Sequence, residues 1–432
     1  MQDTQDTQGK RGAPRPDSLS REKHAEAGAG SGRIADTLPP PRTGVAVTGI
    51  AGMALLGYLI LSGQGLQQGV LFGLGGLLGV ALFHARFGFT SAFRQLIAVG
   101  QGSGLKAHML MLAVASVIFA PILAAGAGLF GVEPTGYIAP IGVSVVVGAF
   151  LFGLGMQLGG ACASGTLYTI GSGQTAIVLT LCGFVIGSVL GAWHWGFWTQ
   201  DAFNWATVGL GETGLGYTGG ALVQVLFIGA IVAAVTLISR RKNPPPVSRK
   251  PSARGLGRVV RGTWPLWVGA LALAGLNAAV LMVSGKPWGV TGAFALWGSK
   301  IAGGLGVDAA SWTYWADDPA PLQQSILANA TTVTNFGIIL GALVASAIGG
   351  TFVIHKRIPL KTVVAALIGG ILMGYGARLA YGCNIGAYFG GVASLSLHGW
   401  LWAAMALFGT YGGLKLRPLF GLAVPKPKDS SC

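Results

Sequence analysis

The sequence predicts an all-α polytopic membrane protein. It reads as an inverted repeat, with about five transmembrane helices and two re-entrant half-helices in each half. Three observations carry this reading. Charged residues are 9% of the 432-residue chain and hydrophobic residues 52%, whereas a soluble domain carries roughly 25% charge. Long apolar runs recur from one end to the other. Two pairs of short motifs recur in the same order in the two halves. The composition excludes a soluble enzyme, a nucleic-acid binder and a disordered scaffold. Glycine, at 73 residues, has no G-X-Y period, so collagen is excluded, and at this abundance in an apolar chain it points to closely packed membrane helices.

Residues 1–43 are polar and rich in Gln, Asp, Pro and Gly. They cannot bury enough apolar surface to fold alone, and are read as a disordered cytoplasmic tail. A span needs about 20 apolar residues. Ten runs qualify: 44–62, 67–84, 106–128, 136–158, 174–193, 219–239, 264–284, 327–354, 361–380 and 398–416. The first membrane repeat is placed at 44–239 and the second at 264–416. A basic cytoplasmic linker, 240–263, joins them, and 417–432 is a cytoplasmic tail.

Four further stretches are too short to cross and too apolar for exposed loops: 88–102, 159–172, 289–303 and 382–395. Each starts at or beside glycine. Half-membrane re-entrant helices, buried in protein or lining a cavity, fit them; interfacial loops are the competing description.

The net charge of +15 would suit a nucleic-acid binder, but its distribution does not. With the N-terminus inside, 25 of the 28 Lys and Arg residues fall on the inner side. The exceptions are Lys286, Lys300 and Arg378. Glu133, Asp201, Glu212, Asp308, Asp317 and Asp318 all fall outside. Cytoplasmic loops of membrane proteins carry this excess of basic residues. A multi-pass membrane protein follows, with both termini cytoplasmic, the lipid bilayer as its surroundings and no nucleic-acid partner.

The repeat rests on two alignments. GLGMQLGGACASG (153–165) matches GYGARLAYGCNIG (374–386), pairing Gly153, Gly155, Leu158, Cys162 and Gly165 with Gly374, Gly376, Leu379, Cys383 and Gly386. FGFTSAF (87–93) matches WGVTGAF (288–294), pairing Gly88, Thr90, Ala92 and Phe93 with Gly289, Thr291, Ala293 and Phe294. The second half carries an extra loop, GVDAASWTYWADDPAPLQQ, between its motifs. An odd number of spans per half gives the halves opposite orientation. Inverted repeats with broken helices meeting near the midplane describe many transporters and some channels.

These motifs, GxQLGGACASGTLY and GxRLAYGCNIGAYFGG together with PWGVTGAF, resemble the YeeE/YedE family of bacterial inner-membrane proteins, which carries a sulfur-transport domain. The resemblance covers about 44–416. It implies a permease importing thiosulfate or a related small sulfur-containing anion through a central cysteine-lined path, with a cytoplasmic sulfurtransferase as partner. By position, Cys162 and Cys383 match two cysteines thought to contact substrate through S–H hydrogen bonds. Thiosulfate-transporting members have a third cysteine in the first half; here that segment reads RFGFTSAF, without one.

The residues themselves fit this chemistry. A neutral thiol is a weak donor and a soft contact that does not repel an anion. A buried free cysteine is otherwise an ordinary core residue. The glycines Gly159, Gly160, Gly165, Gly382 and Gly386 would let helices approach closely, or expose backbone N–H groups to an anion. Ser164, Thr166 and Asn384 would supply polar contacts. Arg378 lies inside an apolar run, where a charge is costly and a functional candidate; it aligns with Gln157 and would guide anions from outside. The alternative is a snorkelling helix end or a structural ion pair. Arg94 is its counterpart on the inner side.

His84, His194 and His398 lie near predicted span ends, where solvation is easy; with His24, His108 and His355 they show no ligand spacing. No metal and no cofactor is expected. Trp193, Trp195, Trp198 and Trp205 read as an aromatic belt, and 312–318 as an outer vestibule or cap. Cys182 is expected in the core and Cys432 as a terminal thiol. A passive anion channel and a membrane sulfurtransferase component with a persulfide-forming cysteine are the alternatives; the preferred reading, a permease, is not an enzyme.

Overall fold

The computed structural model describes residues 38–244, 255, 257–354 and 357–426. The expected tail over 1–37, the centre of the basic linker and Cys432 lie outside the described residues.

Thirteen main α-helices and one π-helix make up most of the described residues. They are α1 Thr43–Gln64, α2 Leu66–Ala85, α3 Phe89–Val99, α4 Ser103–Ala125, α5 Val143–Leu158, α6 Ala163–Gly171, α7 Ala176–Trp193 and α8 Gly216–Lys242, then α9 Leu266–Ser284, α10 Thr291–Gly304, α11 Ala330–Ile348, α12 Leu360–Leu379, the π-helix Asn384–Gly390 and α13 Leu397–Leu416. Among the described residues there are only isolated β-bridges, Pro140 with Thr207 and Gly209 with Ser396. Nine helices among the described residues are long and apolar enough to cross a membrane. In two of them the stretch runs on past a short break, α2 into α3 (Leu66–Val99) and α5 into α6 (Val143–Gly171). The chain is therefore a multi-pass membrane protein. The tenth expected span is helical as α13, but its Trp, Tyr, His and Gly residues make it less apolar than those nine.

The expected run 136–158 is helical only from Val143. Residues 134–141 are extended around Pro134 and Pro140, and Gly142 sits at φ 154, where a Cβ would meet the Phe203 carbonyl. The four short stretches are helices of 11, 9 and 14 residues (α3, α6, α10) and a seven-residue π-helix. All are shorter than a span needs.

Packing is dense where glycine removes side chains. Without a hydrophobic drive between helices in lipid, close backbone approach and dispersion hold the bundle. A Cβ on Gly155 of α5 would lie 2.6 Å from the Gly369 carbonyl oxygen of α12, and one on Gly370 of α12 would press on the Thr180 carbonyl of α7. The helix contacts come in matched sets: α2 with α11 and α9 with α4; α5 with α13 and α12 with α7; α3 with α13 and α10 with α7; α1 with α11 and α8 with α4. Between these lie α2 against α9, α5 against α12, and α6 against the π-helix. Only 17% of the apolar window of α1 and 22% of that of α8 are buried inside the protein, so these two are the peripheral, lipid-facing helices.

Three sequence expectations are corrected. Cys182 is exposed on α7 rather than in the core. His84 and His398 are buried rather than solvated: His84 stacks on Trp264 with centroids 5.4 Å apart, and His398 packs under Gly391.

Candidate functional site

The two motif cysteines occupy the same structural position. Cys162 is the residue before α6, with φ −83 and ψ −175. Cys383 is the residue before the π-helix, with φ −109 and ψ −168. Both side chains are buried, at 2% and 0% exposure. A glycine break precedes each: Gly160 at φ 83 and Gly382 at φ 146, conformations that side chains with a Cβ rarely adopt. These breaks let the chain reverse and start a new helix on the cysteine. The two segments touch through α6 and the π-helix, and the two thiols lie within electrostatic reach of each other.

Each sulfur faces backbone donors of its own first turn. The Gly165 N–H faces Cys162 Sγ and the Gly386 N–H faces Cys383 Sγ; the Ile385 N–H donates to Cys383 Sγ at 3.4 Å. Ser164 Oγ lies 3.6 Å from Cys162 Sγ. The Thr166 hydroxyl is already committed, donating to the Cys162 carbonyl at 2.8 Å. Gly159 packs at a helix crossing, where a Cβ would lie 2.9 Å from Met373 and Thr180 side-chain atoms. By contrast, a Cβ on Gly386 would meet nothing within 4 Å, so that glycine borders open space.

Three polar groups around the thiols lack partners. Thr90 Oγ1 lies beside the Cys162 thiol, yet forms no hydrogen bond of good geometry among the described residues. Asn384 is fully buried, and neither Oδ1 nor Nδ2 has a partner there. Such groups cost roughly 1–3 kcal/mol each when left unpaired, and unpaired polar groups in a native core call for an explanation.

A guanidinium stands near the threonine of each half, but on different elements. On α3, Arg94 Nε donates to Gln157 Oε1 at 3.0 Å, and Gln157 Nε2 donates to the Thr90 carbonyl at 3.3 Å. In the other half Arg378, at the Gln157-equivalent position on α12, is 6% exposed. Its Nη2 donates to Thr291 Oγ1 at 2.7 Å and its Nη1 to Tyr314 Oη at 2.5 Å. Its Nε is buried without a partner among the described residues. Arg378 is thus not a snorkelling helix end. The extra loop supplies Tyr314, whose ring lies against Trp195, with centroids 5.3 Å apart. Trp195 in turn meets Tyr381, one residue before Gly382.

Sequence reasoning missed Thr90, Thr291 and Tyr314. The two threonines were legible as matched positions in the repeat. Tyr314 carried no signal, because its contact spans 64 residues of chain.

Short helices meet at two buried thiols, with two guanidiniums nearby, inside a multi-pass membrane bundle. Residues 84–412 match the sulphur-transport family model, and the chain belongs to that family, YeeE/YedE. Its relatives include the thiosulfate transporter TsuA of Spirochaeta thermophila, 30% identical over 354 residues, covering 78% of this chain and 95% of that protein. The thiosulfate transporter TsuA of Escherichia coli is 28% identical over 358 residues, covering 79% and 93%. A probable transporter, YedE of Salmonella typhimurium, is 33% identical over 185 residues, covering 39% and 43%.

Proposed function

We propose that this protein imports thiosulfate, or a related small sulfur-containing anion, across a bacterial inner membrane along a path past Cys383 and then Cys162. The observation that carries the reading is the pair of buried thiols at equivalent helix starts, each beside a polar side chain with no partner among the described residues: Thr90 at Cys162 and Asn384 next to Cys383. An anion in that space would satisfy them. It would take weak S–H donation from the thiols, which carry no negative charge to repel it. The guanidiniums of Arg378 and Arg94 offset the cost of bringing charge into a low-dielectric interior.

The inverted repeat belongs to the same proposal. The matched helix contacts support it, since exchanging α2 for α9, α4 for α11, α5 for α12 and α7 for α13 reproduces the pairs that are seen. The same exchange pairs α1 with α8. The second repeat then opens with α8, ahead of the basic linker, and each half holds five long helices. Re-entrant placement of α3, α6, α10 and the π-helix follows from their shortness and apolar character. The side distribution of basic residues supports cytoplasmic termini, and a cytoplasmic sulfurtransferase would receive the imported sulfur.

Uptake of radiolabelled thiosulfate in cells lacking other importers tests the reading. The Cys162→Ala/Cys383→Ala double variant, expressed at wild-type level, should lose uptake. Normal uptake would remove the cysteines from the path. A stable persulfide on either thiol after turnover, read by mass spectrometry, would instead favour a sulfurtransferase.

A further inference from the structure

Away from the thiols, a cavity of about 280 Å³ lies between the end of α2, the segment before α9, the chain just before α1 and the chain just after α11. Its chemistry is one-sided. Arg86 and Arg261 line it, with His84, Thr263 and Thr351, and among the described residues its lining includes no carboxylate. The Arg86 side chain is exposed and donates no hydrogen bond among the described residues. Arg261 is held by one arm, Nη2 donating to the Pro39 carbonyl at 2.7 Å, while its Nε is buried without a partner there. The walls are fixed. His84 Nδ1–H donates to the Gly262 carbonyl at 2.9 Å, the Trp264 N–H donates to the His84 carbonyl at 2.9 Å, and the two rings stack.

Two guanidiniums line one small space with no acid among its described lining residues, so an anion there would meet donors of one sign of charge. Guanidinium is the side chain best suited to oxygen anions, because its planar fork donates in pairs. The volume admits a tetrahedral ion and some of its water. One residue lies near both places. Tyr168, on α6, lies within electrostatic reach of both the Cys162 thiol and the Arg86 guanidinium, and α2 packs on α6.

We propose that this cavity binds a tetrahedral oxyanion, held by Arg86 and Arg261. Its place at the end of the path, as the station a transported sulfur oxyanion occupies after Cys162, rests on the proposed function; the site itself does not. The same chemistry would hold the phosphate of an anionic lipid headgroup, and the two sources separate by experiment.

Full-length protein in nanodiscs of zwitterionic lipid is titrated with radiolabelled thiosulfate and sulfate, as wild type, Arg86→Gln, Arg86→Gln/Arg261→Gln and Cys162→Ala/Cys383→Ala. In parallel, native mass spectrometry reads phosphatidylglycerol retained by the wild type and the double arginine variant. Arg86→Gln should keep the fold, since its guanidinium donates no hydrogen bond among the described residues. Oxyanion binding that survives in the cysteine variant and weakens about tenfold or more in both arginine variants supports a soluble oxyanion site. Lipid retained by the wild type and lost from the arginine variant supports the headgroup as occupant. Wild-type oxyanion binding together with wild-type lipid retention in the double arginine variant overturns the proposal. If the cysteine variant transports normally while the arginine variants lose oxyanion binding, the path fails and the cavity stands.

Discussion

Arg378 donates through Nη2 to Thr291 Oγ1 at 2.7 Å, tying the end of α12 to the start of α10. In the other half the equivalent pair is Gln157 and Thr90, but there Gln157 reaches the threonine carbonyl and leaves the hydroxyl unpartnered among the described residues. The same two positions thus hold a charged clasp on one side and a neutral one on the other. The Arg378→Gln variant should fold and reach the membrane. Charge-assisted hydrogen bonds contribute about 1.5–3 kcal/mol, so thiosulfate KM in uptake should rise about 10- to 100-fold. Thr291→Ala should raise it less, because the guanidinium remains. A wild-type KM for Arg378→Gln would assign the arginine to structure alone.

Thr90 and Asn384 separate function from folding. Among the described residues neither has a partner of good hydrogen-bond geometry for these polar atoms, so Thr90→Val and Asn384→Leu should remove groups that contribute little to fold stability. Replacing an unsatisfied polar group by an apolar one of similar shape is near neutral or stabilising. Detergent-solubilised thermal unfolding should therefore be unchanged or shifted up, while uptake falls several-fold. A drop in stability matching the drop in uptake would mean that these groups are structural.

Glycine substitutions should sort by what a methyl group would strike. A Cβ on Gly155 lies 2.6 Å from the Gly369 carbonyl oxygen, and neither backbone can yield without parting α5 from α12. Gly155→Ala should cost about 1–3 kcal/mol through overpacking and lower the melting temperature. Gly73→Ala, where a Cβ meets nothing within 4 Å, should leave it unchanged. Equal melting temperatures for the two variants would dismiss glycine contact as what holds α5 on α12.

The cysteines should react in a fixed order. Cys182 is exposed on a helix with an apolar surface, whereas Cys162 and Cys383 are buried. Because reactivity needs access as well as thiolate character, a lipid-soluble maleimide should modify Cys182 first. Cys162 and Cys383 should react slowly, and more slowly still with thiosulfate present. Peptide mapping by mass spectrometry reads the order. Fast modification of Cys383 in the intact protein would contradict its burial.

Much of the architecture was legible in the chain itself. Apolar run length identifies the spans, because a bilayer sets a minimum length that local sequence must meet. The repeat motifs placed Cys162 and Cys383 at corresponding positions, and Gly160 and Gly382 marked the turns before them. Local sequence was less informative wherever neighbours decide. Cys182 reads as core from its apolar surroundings, yet lipid and protein interior are equally apolar, and only the packing of α7 tells which it faces. His84 and His398 read as solvated helix ends, but stacking on Trp264 and packing under Gly391 bury them.

The sequence by itself determined a glycine-rich, multi-pass membrane protein with two matched cysteine motifs, because span length and motif repetition are properties of the chain. The tertiary structure decided which groups meet. Arg378 meets Tyr314 and Thr291, Thr90 comes beside Cys162, and Arg86 and Arg261 share one cavity. These contacts join residues far apart in the chain, and their geometry is set by how closely glycine lets the helices approach, which no local pattern records.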